Sequence, residues 1–259
     1  MRGLSTCLGI AAIVVGSSVP VSAEKGFESV DFPTTDGIRA RADIYESANP
    51  NATLILMFHQ AGWSRGEYRE IAPTLVAAGY RVMAVDQRSG GAVNGVKNET
   101  HVRARRKHLG VSYVDAYGDL VSALEYARQR LKAKRVIVWG SSYSASLVFR
   151  LAAERPMDVF AVVSFSPGEY FGKANAEYVR GFAKQVDKPL FVTSAKAERD
   201  AVKPIFDASP SEKKVLFTPA SKGQHGSRAL WSKWPDHDVY WAALNGFLKS
   251  YAPPKMPTE

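Results

Sequence analysis

The chain has 259 residues, 46% of them hydrophobic, which suits one large domain with a well-filled core. Its 34 Lys and Arg against 25 Asp and Glu leave a net charge of +9. The cations are spread along the chain apart from Arg103-Ala104-Arg105-Arg106-Lys107-His108, a pattern that argues against a nucleic-acid binder and for a solvated surface with at most weak attraction to an anionic envelope.

The N-terminus reads as a secretory signal. Arg2 opens it, Leu8 to Val15 is apolar, and Val21-Ser22-Ala23 is a small-residue cleavage site before Glu24. The apolar run is too short for a permanent membrane span. The expected organisation is a signal over residues 1–23 and a single domain over 24–259, exported to the periplasm or the exterior. The one cysteine, Cys7, lies inside the signal, so the mature chain has no disulfide and no thiol nucleophile.

Phe27 to Phe32 and Ile38 to Tyr45 flank Asp36-Gly37, a hairpin signal. Thr53 to Phe58 is a continuous apolar strand, as expected when both faces of a sheet are covered. Glu67 to Ala78 has helical spacing and ends at Gly79, and Tyr80 to Val85 is the next strand. Ser89 to Tyr113 reads as a long polar loop, and Val114 to Leu131 as an amphipathic helix. Arg135 to Trp139 is a β-branched strand that runs into Gly140, with helix-forming sequence from Ala145 to Glu154. Phe160 to Phe165, Pro189 to Thr193 and Lys214 to Thr218 are further strands; 174–185 and 236–249 are helical. Strands alternating with helices imply crossover units and a doubly wound, mostly parallel sheet, opened by an antiparallel hairpin. The stretch 167–188 leaves no room for a large cap domain.

Gly140-Ser141-Ser142-Tyr143-Ser144 places a serine at an abrupt strand-to-helix turn, the G-x-S-x-G arrangement with Ser144 in place of the second glycine. A serine needs a base to take its proton and an acid to orient that base. His225, between glycines in Gly223-Gln224-His225-Gly226, follows the last strand and is the candidate base. His59, His101 and His108 precede the turn, and His237 stands at a helix start. The acid should follow Pro189 to Thr193, where Glu198 and Asp200 both occur; the Ala195-x-x-Glu198 spacing favours Glu198. An oxyanion needs two backbone N–H groups, expected from Tyr143 and from Gln60 in His59-Gln60-Ala61-Gly62-Trp63. Asp86-Gln87-Arg88 reads as bracing for the loops, and Trp63, Tyr170 and Phe171 are candidates for lining a substrate pocket. No cluster has zinc-ligand spacing and no glycine-rich phosphate loop precedes a helix, so neither metal nor cofactor is expected.

These motifs together resemble the α/β-hydrolase superfamily, and most of all its small lidless dienelactone-hydrolase-like members, with serine in place of their cysteine. The resemblance spans nearly the whole mature chain. It implies a serine-dependent carboxylic ester hydrolase that acts through an acyl-enzyme on a small ester, with peptidase or amidase chemistry on the same residues as the alternative. A non-catalytic envelope binding protein of the same fold is a further alternative, which the intact serine, acid and histidine oppose. The departures are Ser144, Gln60-Ala61 and Glu198, where relatives carry glycines and aspartate.

Overall fold

Leu54, Leu56 and Phe58 are buried in one apolar cluster, while Ile55 and Met57 between them are buried in another. Val136 and Val138 against Ile137 and Trp139 divide in the same way. A strand whose two faces both enter a core needs apolar residues at every position, which is why these strands read as continuous runs. The computed structural model describes residues 26–172 and 177–254; the signal expected over 1–23 lies outside them.

The main sheet has eight strands: β1 (Glu28–Pro33), β2 (Arg39–Tyr45), β3 (Leu54–Phe58), β4 (Arg81–Asp86), β7 (Val136–Ser141), β8 (Ala161–Phe165), β9 (Leu190–Thr193) and β10 (Lys214–Phe217). Their spatial order is β1-β2-β4-β3-β7-β8-β9-β10. The opening hairpin is antiparallel, with Val30 opposite Ala42, and β2 is antiparallel to β4. From β4 to β10 every pairing is parallel. Helices α1 (Ile71–Ala77) and α7 (His237–Tyr251) cover one face. The other carries α3 (Tyr117–Gln129), α4 (Tyr143–Glu154), α5 (Tyr178–Ala183) and α6 (Arg199–Ala208). Strand order reverses between β3 and β7, and a crevice at the carboxyl ends of such strands is where open α/β sheets bind ligands.

Three sequence expectations are corrected. The helix expected over 67–78 begins only at Ile71, because Pro73 must lie in a first turn; residues 65–68 form a separate 3₁₀ turn. The expected loop of 89–113 contains a small hairpin, β5 (Ala92–Val93) with β6 (Val96–Lys97), and the helix α2 (Glu99–Arg106). Its turn is Asn94-Gly95, both with positive φ, and α2 is capped by the Asn98 side chain, which accepts the His101 N–H. Finally, α6 was not expected, since Pro204 inside it masks the helical pattern. The basic run lies on α2 and just past it. There Arg103 is paired with Asp31 and Glu99, and the Lys107 ammonium donates to the Gly37 carbonyl.

Candidate active site

Ser142 stands between the end of β7 and the first turn of α4, with φ 60° and ψ −123°. That backbone conformation belongs to glycine, and a serine is held there only because the turn is over-determined. Its N–H donates to the Phe165 carbonyl at 2.8 Å. Gly140 permits the turn, because a Cβ there would collide with the Ser144 carbonyl and the Ala145 nitrogen. Ser144 does more than tolerate the second glycine position. Its hydroxyl accepts the Ser141 N–H at 2.9 Å and lies 2.7 Å from the Phe58 carbonyl and 2.9 Å from that of His59. The elbow is thereby tied to the end of β3.

His225 lies on the loop after β10 and Glu198 on the turn after β9. Nδ1 of His225 is 2.6 Å from Oε1 of Glu198. The other carboxylate oxygen accepts the Ser166 hydroxyl at 2.7 Å and the Ala195 N–H at 3.1 Å. Burial alone would raise this carboxyl, but the hydrogen bonds from His225 and Ser166 outweigh it and hold Glu198 below the usual glutamate range. Asp200 is exposed, and among the described residues its carboxylate pairs only with the Arg199 guanidinium, at 4.0 Å. The histidine loop is anchored to the elbow: Gly226 N–H donates to Ser166 Oγ and Ser227 N–H to Ser141 Oγ, each at 2.9 Å. Gly226 has φ 73°, and a Cβ on it would lie 2.6 Å from Ser141 Oγ. The loop therefore packs on the residue that precedes Ser142.

On the other side lies the loop after β3. The Gln60 N–H, expected as an oxyanion donor, instead donates to Oε2 of the buried Glu67 at 2.8 Å. The next amide, of Ala61, has no hydrogen-bond acceptor among the described residues. Its peptide plane is fixed by His59, whose Nδ1 lies 2.8 Å from the Gln60 carbonyl. Burial pushes the His59 imidazole down to about 4, so the ring is neutral, and the Asn98 amide, 3.0 Å from Nε2, completes its partners. Asn98 itself is buried, so the Asn98-Glu99-Thr100 sequon is closed to glycosylation in the folded chain. The Tyr143 N–H opens α4, where a helix has no carbonyl of its own to offer.

The Asp86 to Arg88 run braces these loops. Asp86 pairs with Arg65 at 2.6 Å, and Arg88 with Asp119 at 2.7 Å. Among the expected lining residues, Trp63 stacks on Trp231 with centroids 5.3 Å apart. Tyr170 donates its hydroxyl to the Ser166 carbonyl at 2.9 Å. Phe171 is turned into the core, its ring 4.6 Å from that of Tyr178. Among the described residues no group of His, Cys, Asp and Glu could hold a metal ion. Sequence reasoning missed Glu67, Ser144 and Ser166 as parts of the site. Ser166 is marked out by its positive φ and by its bonds to Glu198 and Gly226, none of which a sequence shows.

A mostly parallel sheet with an antiparallel opening hairpin, carrying a serine on a strained strand-to-helix elbow, defines an α/β-hydrolase. The chain belongs to the serine aminopeptidase S33 family of hydrolases, whose model matches residues 49–219. No curated protein matches its sequence. Among solved structures it is similar to a Pyrococcus furiosus esterase, with 17% identity, a TM-score of 0.64, and 92% of this chain and 96% of that one covered. It is similar as well to a dienelactone hydrolase of Anabaena variabilis, at 17% identity and TM-score 0.65, with 87% and 97% covered. A Pyrococcus horikoshii acylaminoacyl peptidase matches at 17% identity and TM-score 0.63, with 91% of this chain and 43% of that one covered.

Proposed function

We propose that this hydrolase cleaves small carboxylic esters by two-step acyl transfer on Ser142. The observation that carries the reading is the 2.6 Å pair between His225 and Glu198, on loops that follow the elbow in the order serine, acid, histidine. The Ser142 oxygen attacks the ester carbonyl carbon while His225 Nε2 takes its proton, and Glu198 stabilises the imidazolium that results. The tetrahedral oxyanion is held by the N–H groups of Tyr143 and Ala61; Ala61 replaces Gln60 in this role because the Gln60 N–H is engaged by Glu67. The intermediate collapses as the C–O bond to the alcohol breaks and His225 returns the proton to the leaving oxygen. Water, deprotonated by His225, then attacks the acyl-serine, and the acid leaves with Ser142 restored. Trp63 and Tyr170, beside the oxyanion loop and the acid, flank the substrate.

The test is hydrolysis of short-chain aryl esters together with labelling by a fluorophosphonate probe and peptide mapping. Modification at Ser142 and loss of both signals in Ser142→Ala support the reading. Turnover that survives in Ser142→Ala overturns it. Peptidase or amidase chemistry is a second reading, supported by the family match and by the similarity to an acylaminoacyl peptidase. Faster cleavage of an acylated aryl amide than of the matching ester favours it. The signal-like sequence of residues 1–23 supports export, and a mature chain beginning at Glu24 tests that.

A further inference from the structure

Directly behind the elbow lies Glu67, fully buried in the 3₁₀ turn that follows the oxyanion loop. Its Oε1 accepts the Ser141 hydroxyl at 2.7 Å, and its Oε2 accepts the Gln60 N–H at 2.8 Å. The same Ser141 oxygen accepts the Ser227 N–H at 2.9 Å. Glu67 thus joins the residue before the proposed nucleophile, the residue before the proposed oxyanion donor Ala61, and the residue two places after the proposed base. The cluster is closed around it. The Trp231 indole donates to the Glu67 carbonyl at 3.0 Å, and that of Trp139 to Ser227 Oγ at 2.8 Å.

The partners demand an anion. Ser141 and Gln60 both donate to the carboxylate, and Ser141 Oγ already has an N–H pointing at it. A protonated Glu67 would force the Ser141 hydroxyl, which already accepts the Ser227 N–H, to turn its hydrogen away from Oε1 or leave the added proton without its present partners. Yet the charge is costly there, since no salt bridge compensates it among the described residues. His225 and Arg228, from the loop and turn after β10, favour the ionised form, and the buried Tyr68 phenol adjoins it. His59, at the end of β3, is neutral. Burial outweighs these and raises Glu67 to about 7. A core chosen for stability alone would not retain such a group.

We propose that Glu67, as a carboxylate, is the positioning residue that holds the oxyanion loop, the nucleophile elbow and the histidine loop in register, and that its charge favours the His225 imidazolium formed when Ser142 is acylated. The inference rests on the acyl-transfer reading above. Protonation of Glu67 removes both contributions, so turnover requires two groups, Glu67 and His225, to be deprotonated.

The experiment measures kcat, KM and the rate of fluorophosphonate labelling from about pH 5 to pH 8 for the wild-type protein and Glu67→Gln. The wild type should lose kcat on acidification with a limb that takes up two protons. In Glu67→Gln, kcat and the labelling rate should fall about 10- to 100-fold with KM little changed, and the limb should take up one proton. A merely structural role would lower activity without altering the number of protons. Wild-type kcat and an unaltered limb in the variant overturn this inference while labelling at Ser142 leaves the acyl-transfer reading intact. No labelling at Ser142 in the wild type overturns both. Should Glu67→Gln fail to fold, the wild-type limb still decides, and a one-proton limb rejects the inference.

Discussion

The Glu198 carboxylate lies 2.6 Å from Nδ1 of His225, whereas Asp200, two residues further along the chain, faces solvent. The pair fixes which ring nitrogen is engaged: with Nδ1 donating to Glu198, Nε2 is left as the proposed base. Glu198 is in turn held by Ser166, which also accepts the Gly226 N–H, so acid and base loops are bound to the same hydroxyl.

Glu198→Gln is therefore expected to lower ester kcat/KM by roughly 10³- to 10⁴-fold, since an amide can present a donor to Nδ1 and favour the wrong tautomer. Asp200→Asn should leave it within about twofold, as expected for a substitution outside any catalytic contact. Steady-state assays of the two variants decide between the carboxylates. Equal losses would remove Glu198 from its role.

On the acyl-transfer reading both Ser142→Gly and Ser142→Ala should be inactive, but the two variants should differ in stability. The φ of 60° at this position disfavours any Cβ. Relief of strain is worth about 1–3 kcal/mol, and the added freedom of glycine in the unfolded chain returns about 0.5–1 kcal/mol of that. Ser142→Gly should thus melt higher than Ser142→Ala. Thermal unfolding of the pair measures it, and an equal or lower melting point for the glycine variant would show that the elbow carries no strain.

Ser144 tests a different element, the link from elbow to oxyanion loop. The residue is buried, and its hydroxyl serves the Ser141 N–H together with carbonyls at the end of β3. Ser144→Gly restores the usual motif glycine yet removes that link. It is expected to cost about 1–3 kcal/mol, the penalty for buried groups left without a partner, and to lower kcat as the Ala61 amide loosens. Denaturant unfolding and ester turnover read the two effects. A variant as stable and as active as the wild type would show that only the size of the residue matters there.

The parts of this molecule that were legible in the sequence share a cause. The central strands β3 and β7 show as unbroken apolar runs because both faces of each are buried. Ser142 shows because the turn demands Gly140 one side of it. What was hidden arises from contacts between distant segments. Glu67 meets Ser141 across 74 positions, and nothing in Gly66-Glu67-Tyr68 distinguishes that carboxylate from one on the solvent face of a helix. Gln60 stood at the expected place for an oxyanion donor, and only the position of Glu67 shows its N–H to be engaged. The helix α2 was obscured by a polar composition that suits a loop equally well, although Asn94-Gly95 was a hairpin signal and Asn98 a capping one.

Stability and activity should respond oppositely to pH through Glu67. Its folded-state value, about 7, lies above the ordinary 4.5, so between these limits the folded chain binds more protons than the unfolded one. Stability from this group therefore rises as pH falls from about 7 toward 4.5 and is lost as pH rises through 7, while the active form is the deprotonated one. The full swing is on the order of 3 kcal/mol. Asp86, raised to about 6 by burial, acts in the same direction. His59 opposes both, because its folded-state value of about 4 lies below the ordinary 6.5 and its contribution fades as pH falls through that window. Neither is among the groups that bear on Glu67, so the difference between the unfolding free energies of wild type and Glu67→Gln reports Glu67 together with its coupling to His225. That difference, wild type minus variant, should shrink steadily from about pH 5 to pH 8. Denaturant unfolding across the range measures it, and a difference that stayed flat would mean that Glu67 ionises in the folded chain as readily as in the unfolded one.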